Sequence, residues 1–565
     1  MVTGDKPFKP QDGASSLAQT ELFVLRYFMM SKKQVFARDA TGLVRAAGLF
    51  DVFSFNYAWT GGSFALWLAF EMGQVMWAFP GGDFAWANIL AIVPTLLFFN
   101  VVYAFLSISM PRSGGDYIYM SRLVDPAIGF AMSFTVAMCL AYYGAFGAVW
   151  ASGLAVGTFL GTMGYYTGNA GLIAASTALQ NTTNLFVVST ILIVVFGLIV
   201  MSGLKRYLRF NNILMVIGAI GMVIAVGLLA TTNPSAFAAR FNSFMLLFTS
   251  DKNYYQTVIN QAQSAGWNPT PPFSWSATIL MFPTVMSAVG YTYSSVYIGG
   301  EVKQVQRNQM LGMIIPLVFY VAFNALVYWL TLNAVGAAFE SSINYLWWQG
   351  ATISLPLWPY FNLWATLATT NVFLAFMVGI GFLALSIMYV PLNFMLVARM
   401  IFAWSFDRVF PEKMSEVNER TRSPIWAVVF VMIVSEIFLI IMTYTTLLSG
   451  LAAAIGLFIA NFVGFLSAVL LPFRGRRMYE TSPISKYKIA GLPLISVLGA
   501  GGMIFALALI IPMIYDPRYL ANSPVSLSII AGSIVVGFVA YYVSKAIRKA
   551  KGIDMSLVFK EIPPE

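Results

Sequence analysis

The sequence predicts an all-α, polytopic membrane protein with twelve transmembrane helices, arranged as a five-plus-five inverted repeat with discontinuous helices 1 and 6. Three observations lead to this fold class: the composition, the length of the apolar stretches, and a matched pair of interruptions. The chain of 565 residues is 59% hydrophobic and only 10% charged, and its mean hydropathy is +0.77. Because a soluble globular protein carries about 25% charged residues, a soluble enzyme is excluded.

Twelve apolar stretches are long enough to cross a bilayer, which takes about 20 helical residues. They are continuously apolar rather than alternating, and this favours helices over the strands of a barrel. The stretches are residues 47–71, 85–109, 126–160, 185–203, 210–230, 275–299, 309–335, 366–398, 424–447, 449–472, 492–515 and 525–544.

These stretches predict the domain organisation. The first inverted repeat holds helices 1–5 and the second holds helices 6–10, while helices 11 and 12 lie outside the repeat. The predicted segments are an N-terminal segment 1–42, the first repeat 43–230, an extracellular loop 231–274, the second repeat 275–473, a cytoplasmic loop 474–491, helices 11 and 12 in 492–544, and a tail 545–565.

The basic residues predict that both termini are cytoplasmic in a multi-pass protein of the cell membrane. An even number of spans places the termini on one side. Of the 32 Lys and Arg residues, only Arg240, Lys252 and Arg518 then fall on the opposite side. By the positive-inside rule, the side rich in basic residues is the cytoplasm. The short apolar run 22–30 contains Arg26, so we interpret it as part of a cytoplasmic lead-in rather than a signal peptide.

Several kinds of chemistry are excluded by residue type. The chain has no histidine and a single cysteine, Cys139, so histidine-ligated metals, haem, Ser-His-Asp triads and internal disulfides are ruled out. No phosphate-binding loop is present, and no acid, base and nucleophile cluster at one depth. We therefore expect no enzyme activity, no cofactor, no metal site and no nucleic-acid partner; Na⁺ as a coupling ion and a homo-oligomer are left open.

Two stretches contain glycine and small polar residues at membrane depth. Residues 56–63 read Asn-Tyr-Ala-Trp-Thr-Gly-Gly-Ser, and residues 287–295 read Ser-Ala-Val-Gly-Tyr-Thr-Tyr-Ser-Ser. Such residues weaken a helix. Either segment alone also fits close helix packing, but paired interruptions five helices apart predict a transport protein with inverted repeats.

Unwound backbone at these positions predicts an amino-acid site. Free N–H groups favour a carboxylate and free C=O groups favour an ammonium. We expect the carboxylate on N–H groups around residues 60–63 and the ammonium on carbonyls near residues 286–290, with Tyr142, Tyr143 and Trp150 around the substrate side chain. The predicted substrate-binding residues are Ala58, Trp59, Thr60, Gly61, Gly62, Ser63, Tyr143, Ser287, Gly290, Tyr291 and Tyr293.

Motifs in three successive loops resemble one family. Residues 110–119 read Met-Pro-Arg-Ser-Gly-Gly-Asp-Tyr-Ile-Tyr, with Arg122 and then Pro-Ala-Ile-Gly-Phe at 126–130. This resembles the P-x-S-G-G-x-Y-x-Y…R…P-x-x-G-F signature of the amino acid–polyamine–organocation (APC) superfamily of transporters. Glu-Val-Lys-Gln-Val-Gln-Arg-Asn at 301–308 and the segment 398–411 resemble two further motifs of that family. The resemblance covers about residues 43–473.

The resemblance implies an amino acid permease with a re-entrant inner-gate loop. Val305 and Arg408 depart from the family's proline and glycine, and the aromatic residue that often precedes the central glycine of helix 6 is missing. Tyr291 and Tyr293 either take over its role or pack in the wall. The residues implied for the inner gate are Ser113, Gly114, Gly115, Tyr117, Glu301, Arg399 and Asp407.

The scarcity of charge at membrane depth favours a neutral, zwitterionic amino acid. A polyamine would need a carboxylate or a ring of carbonyls and aromatics at the centre, so a polyamine or organic-cation transporter is the alternative, as is a non-transporting amino-acid sensor. Glu436 is the one carboxylate expected deep in a helix, where it costs about 2.5–3.5 kcal/mol. It fits a structural pairing, a proton-coupling role or an oligomer contact. With Ser386 available to a Na⁺ ion, we expect Na⁺-coupled transport or obligatory exchange rather than H⁺-driven transport.

Overall fold

The computed structural model describes residues 43–62 and 68–560, in which α-helix predominates. The predicted N-terminal segment 1–42, the site residue Ser63 and the last five residues lie outside this part of the chain. The α-helices are Leu49–Gly62, Leu68–Ala78, Phe84–Pro94, Val102–Ser109, Asp116–Leu123, Pro126–Trp150, Gly157–Thr167, Ala170–Ala178, Thr182–Met201, Leu204–Thr231, Pro234–Met245, Tyr254–Ser264, Trp275–Leu280, Phe282–Val289, Val305–Thr331, Ala337–Trp348, Phe361–Leu367, Val372–Phe406, Ile425–Tyr444, Gly450–Arg474, Arg476–Thr481, Leu494–Tyr515 and Pro524–Ala550.

Shorter elements join or interrupt these helices. Two two-residue strands, Lys488–Ile489 and Leu492–Pro493, form an antiparallel hairpin in which Lys488 lies opposite Pro493. The π-helical turns are Thr95–Val101, Ala151–Val156 and Leu332–Gly336, and the 3₁₀ turns are Ser294–Tyr297, Gly299–Glu301, Glu412–Ser415, Pro483–Lys486, Pro517–Tyr519 and Met555–Lys560.

Side chains just before the helices fix where several of them begin. Asp125 accepts hydrogen bonds from the N–H groups of Ala127 and Ile128, and Asn371 caps the helix Val372–Phe406 in the same way. A cap satisfies N–H groups that have no partner within the helix. Pro126 follows its cap at the first helical position, where a missing N–H costs nothing.

Ten helices in the described part of the chain are long and apolar enough, by length and composition, to cross a membrane, so the chain is a multi-pass membrane protein. Ten of the twelve predicted stretches correspond to them. These helices are Phe84–Ser109, Pro126–Thr167, Thr182–Met201, Leu204–Thr231, Val305–Trp348, Val372–Phe406, Ile425–Tyr444, Ala452–Arg474, Leu494–Tyr515 and Pro524–Ala550.

The first and sixth stretches contain shorter helices, and the predicted positions of their interruptions need correction. Residues 56–62 are α-helical, so the expected unwinding there is wrong; residues 63–67, which follow, lie outside the described part of the chain. In the sixth stretch Ser287 is still helical. The α-helix ends at Val289 and does not resume until Val305.

The two long connections hold helices of their own. Residues 231–274 include Pro234–Met245 and Tyr254–Ser264. Between the predicted stretches 309–335 and 366–398, a π-helical turn continues the preceding helix into Ala337–Trp348. Aromatic rings hold these pieces together; Tyr255 stacks on Phe339 with 4.4 Å between ring centroids. Packing therefore orders these connections without disulfides.

The helix Val372–Phe406 lies at the centre of the packing, against Leu49–Gly62, Pro126–Trp150 and Leu204–Thr231. It approaches the last of these most closely at two glycines. A Cβ on Gly221 would lie 2.6 Å from the Cα of Gly381, so only residues without side chains fit at this crossing. Small residues at crossings are typical of helices packed within membranes.

Three buried amides hold the non-helical segment that follows Val289, and two of them bond to its backbone. Asn56 accepts from the N–H of Ser295 at 2.7 Å and donates to the Gly312 carbonyl at 2.7 Å. Gln309 donates to the Ser295 carbonyl at 3.1 Å. Asn100 accepts from the Thr292 hydroxyl at 2.8 Å. Inside a bilayer each unsatisfied backbone group costs several kcal/mol, so these amides make the interruption possible.

Asn56→Ala is expected to destabilise the protein by about 1–3 kcal/mol, because it leaves the Ser295 N–H and the Gly312 carbonyl buried without a partner. The measurement is the thermal unfolding midpoint of the purified protein. Asn324→Ala is the matched control, since Asn324 is also fully buried but its amide atoms make no hydrogen bond within the described residues. Equal midpoints for the two variants would contradict the assigned role of Asn56.

Candidate functional site

Four aromatic side chains meet where the helix Phe282–Val289 ends. Trp59 is fully buried, and its ring centroid lies 4.9 Å from that of Tyr291, 5.3 Å from Tyr389 and 5.6 Å from Tyr143. We call these four residues the aromatic cluster. The Tyr143 hydroxyl donates to the carbonyl of Gly450 at 2.7 Å. The cluster thus joins three helices to the non-helical segment that follows Val289.

A single amide, Asn461, joins three tyrosines next to this cluster. Its Oδ1 accepts from the hydroxyls of Tyr103 at 2.8 Å and Tyr293 at 2.6 Å, and its Nδ2 donates to the Tyr291 hydroxyl at 2.9 Å. The rings of Tyr103 and Tyr293 stack with centroids 4.0 Å apart. Asn461 therefore ties the non-helical segment to the helices Val102–Ser109 and Gly450–Arg474.

The structure places the predicted substrate residues in different ways. Trp59, Tyr143, Tyr291 and Tyr293 come together in or beside the aromatic cluster, whereas Ser287 uses its hydroxyl within its own helix, donating to the Thr284 carbonyl. A Cβ on Gly290 would lie 2.6 Å from the Met286 carbonyl oxygen. Ala58 is buried, and the backbone of Thr60, Gly61 and Gly62 is helical.

Reasoning from the sequence missed Tyr103, Tyr389 and Asn461. Asn461 had a recognisable signal, since it is an amide in the middle of an otherwise apolar stretch, and such residues are costly in a membrane unless bonded. The two tyrosines had none, because tyrosine is common wherever a ring is buried. Of the other predicted aromatics, Tyr142 donates to the Leu448 carbonyl, and Trp150 stacks on Tyr360 away from the cluster.

The loop at residues 110–115 closes against the end of the same non-helical segment. Ser113 forms an antiparallel bridge with Ile298, and the Gly114 N–H donates to the Tyr297 carbonyl at 3.0 Å. Both glycines have positive φ, +117° at Gly114 and +62° at Gly115. A Cβ on Gly115 would lie 2.3 Å from the Tyr297 ring, so the glycine is needed both for its backbone angle and for space.

Two buried ion pairs hold this region together. Arg399 donates to both carboxylate oxygens of Glu301, at 2.7 and 3.1 Å. Arg122 lies 2.6 and 2.9 Å from the two oxygens of Asp407, which also accepts from the Tyr117 hydroxyl at 2.9 Å. All four charged side chains are at most 3% exposed. Such bidentate pairs compensate each other's lost hydration.

Asp116, which the sequence reasoning did not select, is a buried carboxyl group in this region. It follows Gly115 at the start of the helix Asp116–Leu123, and one of its carboxyl oxygens has no hydrogen-bond partner among the described residues. Burial raises the pKa of Asp116 to about 7, while hydrogen bonds from Tyr297 and from the backbone act in the opposite direction. Asp116 is therefore largely neutral below pH 7 in this closed arrangement.

The two residues predicted to couple ions, Ser386 and Glu436, do not belong to the aromatic cluster. Ser386 donates to the Phe382 carbonyl in its own helix at 2.8 Å. Glu436 is half-buried and accepts from the Thr190 hydroxyl at 2.6 Å. Glu436 is the carboxylate that the sequence places in the middle of a spanning stretch, but four other carboxylates are more fully buried within the protein. These are Asp116, Glu301, Glu340 and Asp407.

The model of the amino acid permease family matches residues 60–540, which is most of the chain. No curated protein matches it. Within residues 43–62 and 68–560, no group of three or more Cys, Asp or Glu side chains is placed to hold a metal ion.

Gly115→Ala is expected to prevent closure of the 110–115 loop, because the new Cβ meets the Tyr297 ring in addition to the positive-φ cost of about 1–2 kcal/mol. Gly350→Ala is the matched control, since Gly350 has φ +68° and open space around it. Thermal unfolding midpoints of both variants measure the difference. If Gly350→Ala lowers the midpoint as much as Gly115→Ala, the steric argument fails.

The raised pKa of Asp116 predicts that the stability of the protein depends on pH. Between about pH 4 and pH 7, Asp116 is protonated in the closed structure, whereas the hydrated carboxyl group of the unfolded chain has lost its proton. The free energy of unfolding therefore falls as pH rises through this interval and levels off above pH 7. Asp116→Asn should remove this component from unfolding midpoints measured between pH 5 and 8. The control is Asp516→Asn, because Arg518 lowers the pKa of Asp516 below this range; an unchanged profile in Asp116→Asn would refute the assignment.

Proposed function

The chain belongs to the amino acid permease family, and from this premise we propose that it is a secondary active transporter that moves neutral, zwitterionic amino acids across the cell membrane by alternating access. Membership indicates a transporter rather than an enzyme, and a substrate that is an amino acid or a related organic cation. The narrower proposal rests on the architecture and on the chemistry of the site.

We propose that the ten continuous spans are completed by two interrupted ones. The first combines the helices Leu49–Gly62 and Leu68–Ala78, and the sixth combines the helices of residues 275–289 with the 3₁₀ turns that follow. Their positions, five spans apart, support a five-plus-five inverted repeat. With twelve spans, the distribution of basic residues supports cytoplasmic termini.

The observation that carries the proposal is the end of the helix Phe282–Val289 beside the aromatic cluster. Carbonyls at the C-terminal end of a helix attract an ammonium group, and N–H groups at an N-terminal end attract a carboxylate. Because residues 60–62 are helical, their N–H groups are no longer proposed as the carboxylate site, and only the ammonium is placed here. The rings of Trp59 and Tyr291 then surround the substrate side chain.

The charge of the site favours a zwitterion. Trp59, Tyr143, Tyr291 and Tyr389 are uncharged, and so are the partners Asn461 and Gly450 to which their hydroxyl groups bond. An organic cation is the second candidate, because the buried carboxyl group of Asp116 lies next to Tyr297 without an ion pair. In its ionised form it would attract an ammonium group.

For coupling we propose Na⁺ or obligatory exchange. Ser386 and the carbonyls at the interrupted helices would supply oxygen ligands of the kind that Na⁺ prefers. H⁺-driven transport is tested by uptake under an inward pH gradient in Na⁺-free proteoliposomes without internal substrate. Concentrative uptake that is lost in Glu436→Gln or Asp116→Asn would replace this proposal and identify the proton-binding carboxyl group.

The main test is uptake of labelled neutral amino acids, with putrescine as the cationic competitor, into proteoliposomes. Asn461→Leu removes three hydrogen bonds, to the hydroxyl groups of Tyr103, Tyr291 and Tyr293. Because these tyrosines are then no longer held in place, kcat/KM for uptake should fall at least about tenfold. Asn88→Leu is the matched control, since Asn88 is buried and its amide donates to Phe84 of its own helix.

Preference for putrescine would refute the zwitterion proposal, and substrate binding without any uptake would indicate a sensor.

A further inference from the structure

A cleft lies between the beginnings of the helices Leu49–Gly62 and Leu204–Thr231, away from the aromatic cluster. Its volume is about 550 Å³, and its walls include Phe50, Asp51, Lys205 and Arg209. A second cleft of about 320 Å³ adjoins it, sharing Ala46 and Lys205. We call the two together the basic cleft.

The basic cleft carries an uncompensated positive charge. Five exposed cations line it, and none of them forms an ion pair within residues 43–62 and 68–560. Its two carboxylates are already engaged: Asp51 accepts from Asn212 and from the Gly48 N–H, and Glu301 is paired with Arg399. The cations are Lys205, Arg206, Arg209, Arg420 and Arg422.

An apolar wall continues from these cations along the membrane-spanning helices. Phe50, Ile213 and Val216 all line the cleft and are 51%, 55% and 51% exposed, respectively. Since Leu204–Thr231 is long and apolar enough to cross a membrane, we infer that these exposed side chains face the acyl region of the bilayer. A free phosphate ion would bind to the cations but would make no contact with the apolar wall.

We propose that the basic cleft binds an anionic phospholipid. The headgroup phosphate lies among Lys205, Arg206 and Arg209, and an acyl chain lies along Phe50 and Ile213. Basic pockets between spanning helices on the cytoplasmic side suit anionic headgroups because each cation near the surface adds attraction. The charge complementarity and the apolar wall together select a lipid over other anions.

The bound lipid would stabilise the closed arrangement. Ala46 and Ala47 donate their N–H groups to the Glu301 carbonyl at 2.8 and 3.0 Å, and Ala47 bridges Val302. Ala46 and Glu301 both line the cleft. A headgroup there contacts both sides of this bridge, whereas opening would separate them. This inference concerns lipid binding and does not depend on which substrate is transported.

The test compares Lys205→Gln/Arg206→Gln/Arg209→Gln with a control that removes three exposed cations elsewhere on the same side, Arg477→Gln/Lys486→Gln/Lys488→Gln. Unfolding midpoints of detergent-purified protein are titrated with phosphatidylglycerol, phosphatidylcholine or inorganic phosphate. At about fivefold in affinity per cation, the triple cleft variant should bind phosphatidylglycerol roughly 100-fold more weakly. Wild type and control should keep the full phosphatidylglycerol-induced rise.

Four results would overturn the proposal. They are retention of the phosphatidylglycerol effect in the cleft variant, loss of it in the control, an equal effect of phosphatidylcholine, and an equal effect of inorganic phosphate. The last two would identify an apolar surface and a free-anion site, respectively. If the triple variant does not fold, Arg209→Gln alone should still weaken binding about fivefold, and unchanged binding in that variant would also refute the proposal.

Discussion

The structure depends on satisfying polar backbone within a membrane. Between Val289 and Val305 the chain is not α-helical, and turn bonds such as that from the Ser294 N–H to the Tyr291 carbonyl satisfy part of its backbone. Asn56 and Gln309 bond to the N–H and the carbonyl of Ser295, and Asn100 accepts from the Thr292 hydroxyl. These three amides therefore hold the segment against three separate helical segments.

The same non-helical segment joins the site to the gate. Tyr291 belongs to the aromatic cluster, Tyr297 packs against the 110–115 loop, and Glu301 forms one of the buried ion pairs. Only a few residues separate these contacts, so movement of the segment at the site changes the geometry at the gate. A ligand shifts such an equilibrium only through contacts that differ between the two states. Tyr291 and its neighbours are placed to make them.

Apolar length predicted ten of the long helices, and motif resemblance selected residues that the structure brings together in the 110–115 loop and the two buried ion pairs, whereas the aromatic cluster was only partly predictable. Glycines at 61, 62 and 290 indicate where a helix can break, but the actual break follows the amide partners, which are distant in sequence. Gly61 and Gly62 are therefore helical where unwinding was expected. Asn461 contacts Tyr291 across 170 positions, a pairing that no local pattern encodes. Asp116 lies inside a recognised motif, but its burial depends on Tyr297 and the closed loop.

The gate's stability follows from the balance within its ion pairs. Burying Arg122 with Asp407, or Arg399 with Glu301, costs hydration that the mutual attraction only roughly repays. Closed and open states therefore differ by much less than the strength of the contacts suggests, because water compensates the charges when the gate opens. Such ion pairs determine which residues contact each other, but they add little net stability to the closed state. Under the alternating access proposed above, a modest differential affinity of the substrate would then be enough to shift the population.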